Sequence, residues 1–96
     1  MRPSEALATH RAELRRLVSS HDLTHPRVFG SVLTGTDTED SDLDLLVDPS
    51  ASTTLFTLAR LEHQAEELLK VRVSVLTPGF LSMKFRGRVL QQAEPL

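Results

Sequence analysis

Cysteine, tryptophan and tyrosine are all missing from the 96 residues, and the whole aromatic complement is four phenylalanines. Without cysteine there is no disulfide framework, no thiolate metal site and no cysteine nucleophile, so the chain must be held by its core alone. With neither tyrosine nor tryptophan, stacking on bases is not expected as the main activity, and nucleic acid is not expected as a direct partner. No apolar run approaches the roughly 18 residues of a membrane span, and the Met-Arg-Pro-Ser start lacks the hydrophobic stretch of a secretory signal, so no membrane association and a cytoplasmic location are expected. A chain of this length buries roughly 60–65% of its unfolded surface, enough for one core, and a single domain over residues 1–96 is expected.

A formal net charge of −2 with 40% hydrophobic and 25% charged residues describes an ordinary globular chain. The charge is nevertheless segregated: residues 1–36 carry +2, residues 37–48 carry −6 and residues 49–96 carry +2. No Lys or Arg occurs between Arg27 and Arg60, so Asp37, Glu39, Asp40, Asp42, Asp44 and Asp48 have no basic neighbour in sequence. A divalent cation is one candidate for their neutralisation.

Leu7, Leu14, Leu17 and Val18 after Pro3 and Ser4 predict an amphipathic helix over about residues 4–20, capped by Ser4. His21–Pro26 carries turn chemistry, and Arg27, Val28 and Phe29 predict a short strand running into Gly30 and Ser31. One helical turn fits Val32–Gly35, followed by a polar loop to Ser41 and a strand of Leu43, Leu45, Leu46 and Val47. Leu55, Leu58, Leu61, Ala65, Leu68 and Leu69 predict a four-turn helix. Val71, Val73 and Val75 alternate as a third strand, and Met83, Phe85, Val89, Leu90 and Ala93 predict a last helix whose polar face carries Lys84, Arg86 and Arg88. The fold class expected is α/β (α+β), with a small mixed sheet of three to four strands packed by helices.

Two features carry chemistry. A strand ending in Gly30-Ser31 before a helical turn presents free backbone amides and a hydroxyl, a setting suited to phosphate. Asp42 and Asp44, two apart on a strand, point to one face, while Leu43, Leu45 and Val47 point to the other. Two like charges on one face are unfavourable unless something binds them, and their Cα separation of roughly 6.5–7 Å suits one or two divalent cations.

Gly30-Ser31 followed by Asp42-x-Asp44, in the setting FGSVLTG and SDLDLLVD, resembles the core motif of the DNA polymerase β-like nucleotidyltransferase superfamily, and in particular its minimal nucleotidyltransferase branch. The resemblance extends over about residues 25–96, through KVRVSVLTPGFLS and RVLQQAEPL. It implies attack of an acceptor hydroxyl on the α-phosphate of ATP, with Gly30 and Ser31 holding the β- and γ-phosphates and Asp42 and Asp44 as the catalytic, Mg²⁺-ligating pair. It also implies an antitoxin whose partner is a HEPN-domain ribonuclease toxin, some relatives transferring AMP to a toxin tyrosine.

Against that pattern, the third carboxylate usual in the superfamily is replaced by Ser74, and Thr34 stands where relatives commonly have a basic residue. Glu39 and Asp40 are loop candidates for the missing acid, whereas Asp48 lies roughly 13 Å along the strand from Asp44. Two readings therefore stand side by side: an active Mg²⁺-dependent protein adenylyltransferase, and a catalytically impaired domain that neutralises its toxin by binding. Elsewhere, His21 and His25 read as loop histidines and His10 and His63 as surface positions on helices. Leu7, Leu14, Phe80, Met83 and Phe85 are candidate core or contact residues.

Overall fold

The computed structural model describes all 96 residues, in the order α1 (Pro3–Ser20), β1 (Thr24–Phe29), α2 (Ser31–Thr34), β2 (Leu43–Asp48), α3 (Leu55–Leu69), β3 (Val73–Leu76), a 3-10 turn (Pro78–Phe80), α4 (Met83–Gln92) and β4 (Glu94–Pro95). The four strands form one sheet in the order β3-β2-β1-β4. β1 is antiparallel to both β2 and β4, and β2 is parallel to β3, which requires the crossover that α3 supplies.

Period-2 alternation on β2 decides the layering. Leu43, Leu45 and Val47 are buried against Leu7, Leu14 and Val18 of α1 and Leu58, Leu61, Ala65 and Leu69 of α3, with Val28, Val73 and Val75 from the flanking strands. Leu46 is also fully buried, although it points to the opposite face, where it is paired with Arg27 across β1. The chain from β3 must travel from one edge of the sheet to the other to form β4, and its 3-10 turn packs on β2. A central strand covered on both faces is the rigid element of a small domain. Replacing one of its buried leucines by alanine typically costs about 2–5 kcal/mol.

The outer edge of β3 is closed by side chains. Glu66 accepts a hydrogen bond from the Val73 amide at 3.0 Å and Glu62 accepts one from the Val75 amide at 2.8 Å. Four residues of helix rise about 6 Å and two residues of strand about 6.6 Å, so an i,i+4 pair on α3 matches alternate amides of β3. An open row of donors that would template another strand is thereby satisfied within the domain.

Several elements differ from the sequence expectation for local reasons. α1 begins at Pro3, and its cap is Arg2, whose amide donates to Glu5 Oε1 at 2.9 Å; Ser4 donates its own amide to Asp37 Oδ2 at 2.9 Å. β1 starts at Thr24, taking in Pro26 through an irregularity in the pairing at which His25 adopts φ 53°. Glu94 and Pro95 supply the fourth strand. On α4, Arg86 does not join Lys84 and Arg88 in solvent: it is partly buried, and its Nη2 donates to the Leu81 carbonyl at 3.1 Å. Leu7 and Leu14 are core residues, while Phe80, Met83 and Phe85 are exposed.

At the end of the sheet where β2 finishes, Arg27 Nη2 donates to Asp48 Oδ1 at 2.9 Å, with the Arg27 side chain only 8% exposed. His25 Nδ1 lies 2.7 Å from Arg27 Nη1 and 3.3 Å from Asp48 Oδ2. The guanidinium hydrogen bond holds the Asp48 carboxyl below its ordinary value of 3.8. Its stabilising contribution is therefore complete above that ordinary value and is lost as pH falls through the lowered folded one. Urea denaturation at a series of pH values is expected to show Asp48→Asn less stable than wild type at pH 7, with the two curves converging between about pH 5 and 2. Curves that stay parallel through that window would remove Asp48 from the acid response.

Candidate functional site

Because β1 and β2 are antiparallel, everything between them is gathered at one end of the sheet. The chain leaves β1 at Phe29, turns at Gly30 into α2, runs through a polar loop and re-enters the sheet at Leu43. Phe29 is paired with Asp44, so Gly30 arrives directly beside the Asp44 carboxylate. A Cβ on Gly30 would collide with Asp44 Oδ2 and stand 3.2 Å from its Cγ, and the backbone there has φ 78°. Only glycine meets both conditions. Ser31 and Val32 follow as the first helical residues, whose amides have no acceptor inside α2, while the Gly30 carbonyl accepts from Leu33 and Thr34 at 3.1 and 3.2 Å. Thr34 turns its hydroxyl back toward the Gly30 and Ser31 carbonyls and to Thr36, so this turn brings no positive charge to the site.

The acidic segment resolves into acids with different surroundings. Asp37 is buried and accepts from the Ser4 amide in the first turn of α1, a hydrogen bond that lowers its pKa and ties the polar loop to α1. Glu39 lies 3.8 Å from the N-terminal amine, and Asp40 is exposed. Asp48 belongs to the Arg27 pair at the opposite end of β2. Asp42, just before β2 and exposed, is 3.0 Å from Arg72 Nε. Asp44 is the exception: half-buried, with no donor on either oxygen, its pKa is raised first by burial and then by the neighbouring Asp42 charge. The pair expected from sequence thus sits side by side, one carboxylate engaged by an arginine and the other withdrawn from water without a partner.

Ser74 lies opposite Asp44 in the parallel register of β2 and β3. A carboxylate at that position would stand on the same face as Asp44; a serine hydroxyl supplies neither charge nor a base of useful strength at neutral pH. No three His, Asp or Glu side chains come together as a metal cage. Neither Glu39 nor Asp40 is brought in to take the place of the missing acid. The donor set is two carboxylates, and an unpartnered carboxylate facing a side-chain-free glycine suits a small hard cation with oxygen ligands from the protein on one side only.

The histidines take no part. His21 bonds Gln64 at 2.7 Å, and His10 and His63 pair with Glu13 and Glu67 on their own helices. Arg72 and Asp37 are site residues to which the sequence reading assigned no role. Arg72 was legible only as a neighbour of Ser74 on the same strand face. The Asp37–Ser4 contact, 33 residues apart, left no sequence signal.

A sheet of this topology packed by helices is the nucleotidyltransferase fold, and in it glycine-serine at the end of one strand stands beside the paired aspartates at the start of the next. The nucleotidyltransferase domain family pattern matches residues 7–93, and the chain belongs to that family, whose chemistry is nucleotidyl transfer. Protein adenylyltransferase MntA of Thermococcus cleftensis is 34% identical over 86 residues, spanning 90% of this chain and 84% of that protein. A solved structure whose own assignment as a minimal nucleotidyltransferase is provisional superposes with a TM-score of 0.86 at 42% identity, over 97% of this chain and 95% of that one. A chain from a toxin–antitoxin structure with AMP-PNP shares the fold, with a TM-score of 0.76 at 20% identity over 88% of this chain and 69% of that one.

Two glycines with positive φ differ in both backbone and surroundings. Gly35 has φ 74° with nothing near its missing Cβ, whereas Gly30 combines φ 78° with the Asp44 contact. Gly35→Ala, at a left-handed position (ψ 18°), is expected to lower the unfolding free energy by about 1–2 kcal/mol, and Gly30→Ala by about 1 kcal/mol or more beyond that, because its ψ of −149° is close to glycine-only and its Cβ displaces Asp44. Chemical denaturation of the two variants checks this; equal losses would mean that neither the backbone of Gly30 nor its contact with Asp44 adds a cost beyond that of a left-handed residue.

Proposed function

We propose that the protein is the antitoxin of a toxin–antitoxin pair and that it silences a HEPN-domain ribonuclease toxin by transferring AMP from ATP to a toxin tyrosine. The observation that carries this reading is the half-buried Asp44 carboxylate, without a counter-charge, against Gly30 and beside Asp42. Sequence similarity to protein adenylyltransferase MntA supports AMP as the group transferred. The antitoxin role rests on the fold shared with a chain of the toxin–antitoxin complex.

In this reading Asp42 and Asp44 hold Mg²⁺, and the Ser31 and Val32 amides with the Ser31 hydroxyl take the β- and γ-phosphates. Bound there, Mg²⁺ would neutralise phosphate charge and stabilise the leaving pyrophosphate. The tyrosine oxygen bonds to the α-phosphorus as its bond to the bridging oxygen breaks, releasing pyrophosphate. With Ser74 in place of a carboxylate, no acid beyond the cation-holding pair is left to serve as a base, and the phenolic proton leaves to water. Turnover is accordingly slow at neutral pH and rises toward the ordinary phenol pKa of about 10.

Ser74 also favours a second reading, in which the domain neutralises its partner by binding alone. Intact-mass measurement of the co-purified toxin after incubation with ATP and Mg²⁺ separates the two. The expected result is a gain of one or more AMP units, absent with Asp42→Ala/Asp44→Ala and accelerated about a hundredfold or more with Ser74→Asp, within the range a general base contributes. An unmodified toxin in a tight, inactive complex would overturn transfer and leave binding.

A further inference from the structure

Arg72 is the one Lys or Arg side chain on the carboxylate pair. Its Nε donates to Asp42 Oδ1 at 3.0 Å, and its Nη2 donates to the Asp40 carbonyl at 2.7 Å. Two properties make this contact exchangeable. The Arg72 side chain is 71% exposed and that of Asp42 is 47% exposed, so the pair is bathed in water and held weakly. The Arg72 backbone, by contrast, is fixed: its carbonyl accepts from the Leu43 amide at 2.8 Å, and the next residue, Val73, is in the core. A long arm on an anchored base can let go of Asp42 and still remain over the site. The guanidinium does not lose its charge at any working pH.

A guanidinium and a divalent cation compete for the same carboxylate lone pairs. Meanwhile the turn at Thr34 supplies no positive charge for an incoming anion. We propose that Arg72 is a displaceable counter-ion: it occupies Asp42 while the site is free of cation, is evicted when a divalent cation settles on Asp42 and Asp44, and then pairs with the phosphate oxygens that accompany the cation. This rests on the cation-binding reading of the aspartate pair. Arg72 is in this sense a phosphate-positioning residue whose resting place is a metal ligand.

The proposal requires effects of opposite sign from one substitution. Calorimetry with Mn²⁺ alone is expected to show Arg72→Gln binding roughly two- to fivefold more tightly than wild type, the range set by loss of an exposed ion pair. With saturating Mn²⁺ present, AMP-PNP is expected to bind Arg72→Gln severalfold more weakly. In wild type, the Arg72 Nε–Hε resonance is expected to shift on titration with Mg²⁺. Circular dichroism should be unchanged, because the side chain is exposed. If Arg72 served only to pin Asp40 and Asp42 in place, Arg72→Gln would weaken Mn²⁺ and AMP-PNP together, overturning the counter-ion role. Equal Mn²⁺ affinities, or an Arg72 resonance unmoved by saturating Mg²⁺, would overturn it too while leaving the cation site standing. Absence of Mn²⁺ binding by both proteins would overturn the cation site itself, and the counter-ion role with it.

Discussion

The carboxylate of Asp44 is held against a backbone that has no side chain, and the functional end of the molecule is organised around that contact. A charge half-withdrawn from water with no donor beside it is unfavourable. It persists because β2 is the central strand, gripped by core residues at Leu43, Leu45 and Val47 on one face and by buried Leu46 on the other. Asp44 has no freedom to leave without moving the strand. Gly30 is forced on the other side by the same contact, since any side chain would occupy the carboxylate's place. The arrangement is thus a consequence of how rigidly the sheet is packed, which holds an uncompensated charge at Asp44.

The remaining charges are arranged so that this position stays unique. Asp48 is neutralised by Arg27 at the far end of β2, and Asp37 is spent on the first turn of α1. Glu62 and Glu66, which could have added acidity near β3, point to its outer edge and satisfy its amides. What is left at the mouth of the site is Asp42 with its exposed arginine and Asp44 with nothing. Of the six acids from Asp37 to Asp48, only this pair combines an exchangeable partner with an unpartnered, half-buried carboxylate.

Local pattern made most of this architecture legible. The leucine spacing from Leu55 to Leu69, the alternation of Val73 and Val75, and the Gly30-Ser31 and Asp42-x-Asp44 elements are all short-range features; the helix and strand lie where expected, while Ser31 opens α2 and Asp42 falls one residue before β2, leaving only Asp44 of the pair on the strand. What the sequence did not carry were pairings between distant segments. Arg27–Asp48, Arg72–Asp42 and Ser4–Asp37 are made by the register of the sheet and by the docking of α1, and charge counting along the chain left those acids without partners. β4 went unseen because two residues have no periodicity, and the turn at His25–Pro26 concealed the start of β1 because the irregular pairing there tolerates a proline. Arg86 was placed in solvent by its charge, yet α4 turns it inward, with its long side chain partly covered.

The central claim is that the one half-buried acid without a partner marks where cation and triphosphate meet. Crystals of the protein grown with Mn²⁺ and AMP-PNP, with anomalous scattering recorded at the manganese edge, test it most directly. The account predicts a manganese peak bonded to both Asp42 and Asp44, with the terminal phosphates on the Ser31 and Val32 amides and no carboxylate ligand from β3. A nucleotide ordered elsewhere, or manganese bound without Asp44, would contradict it.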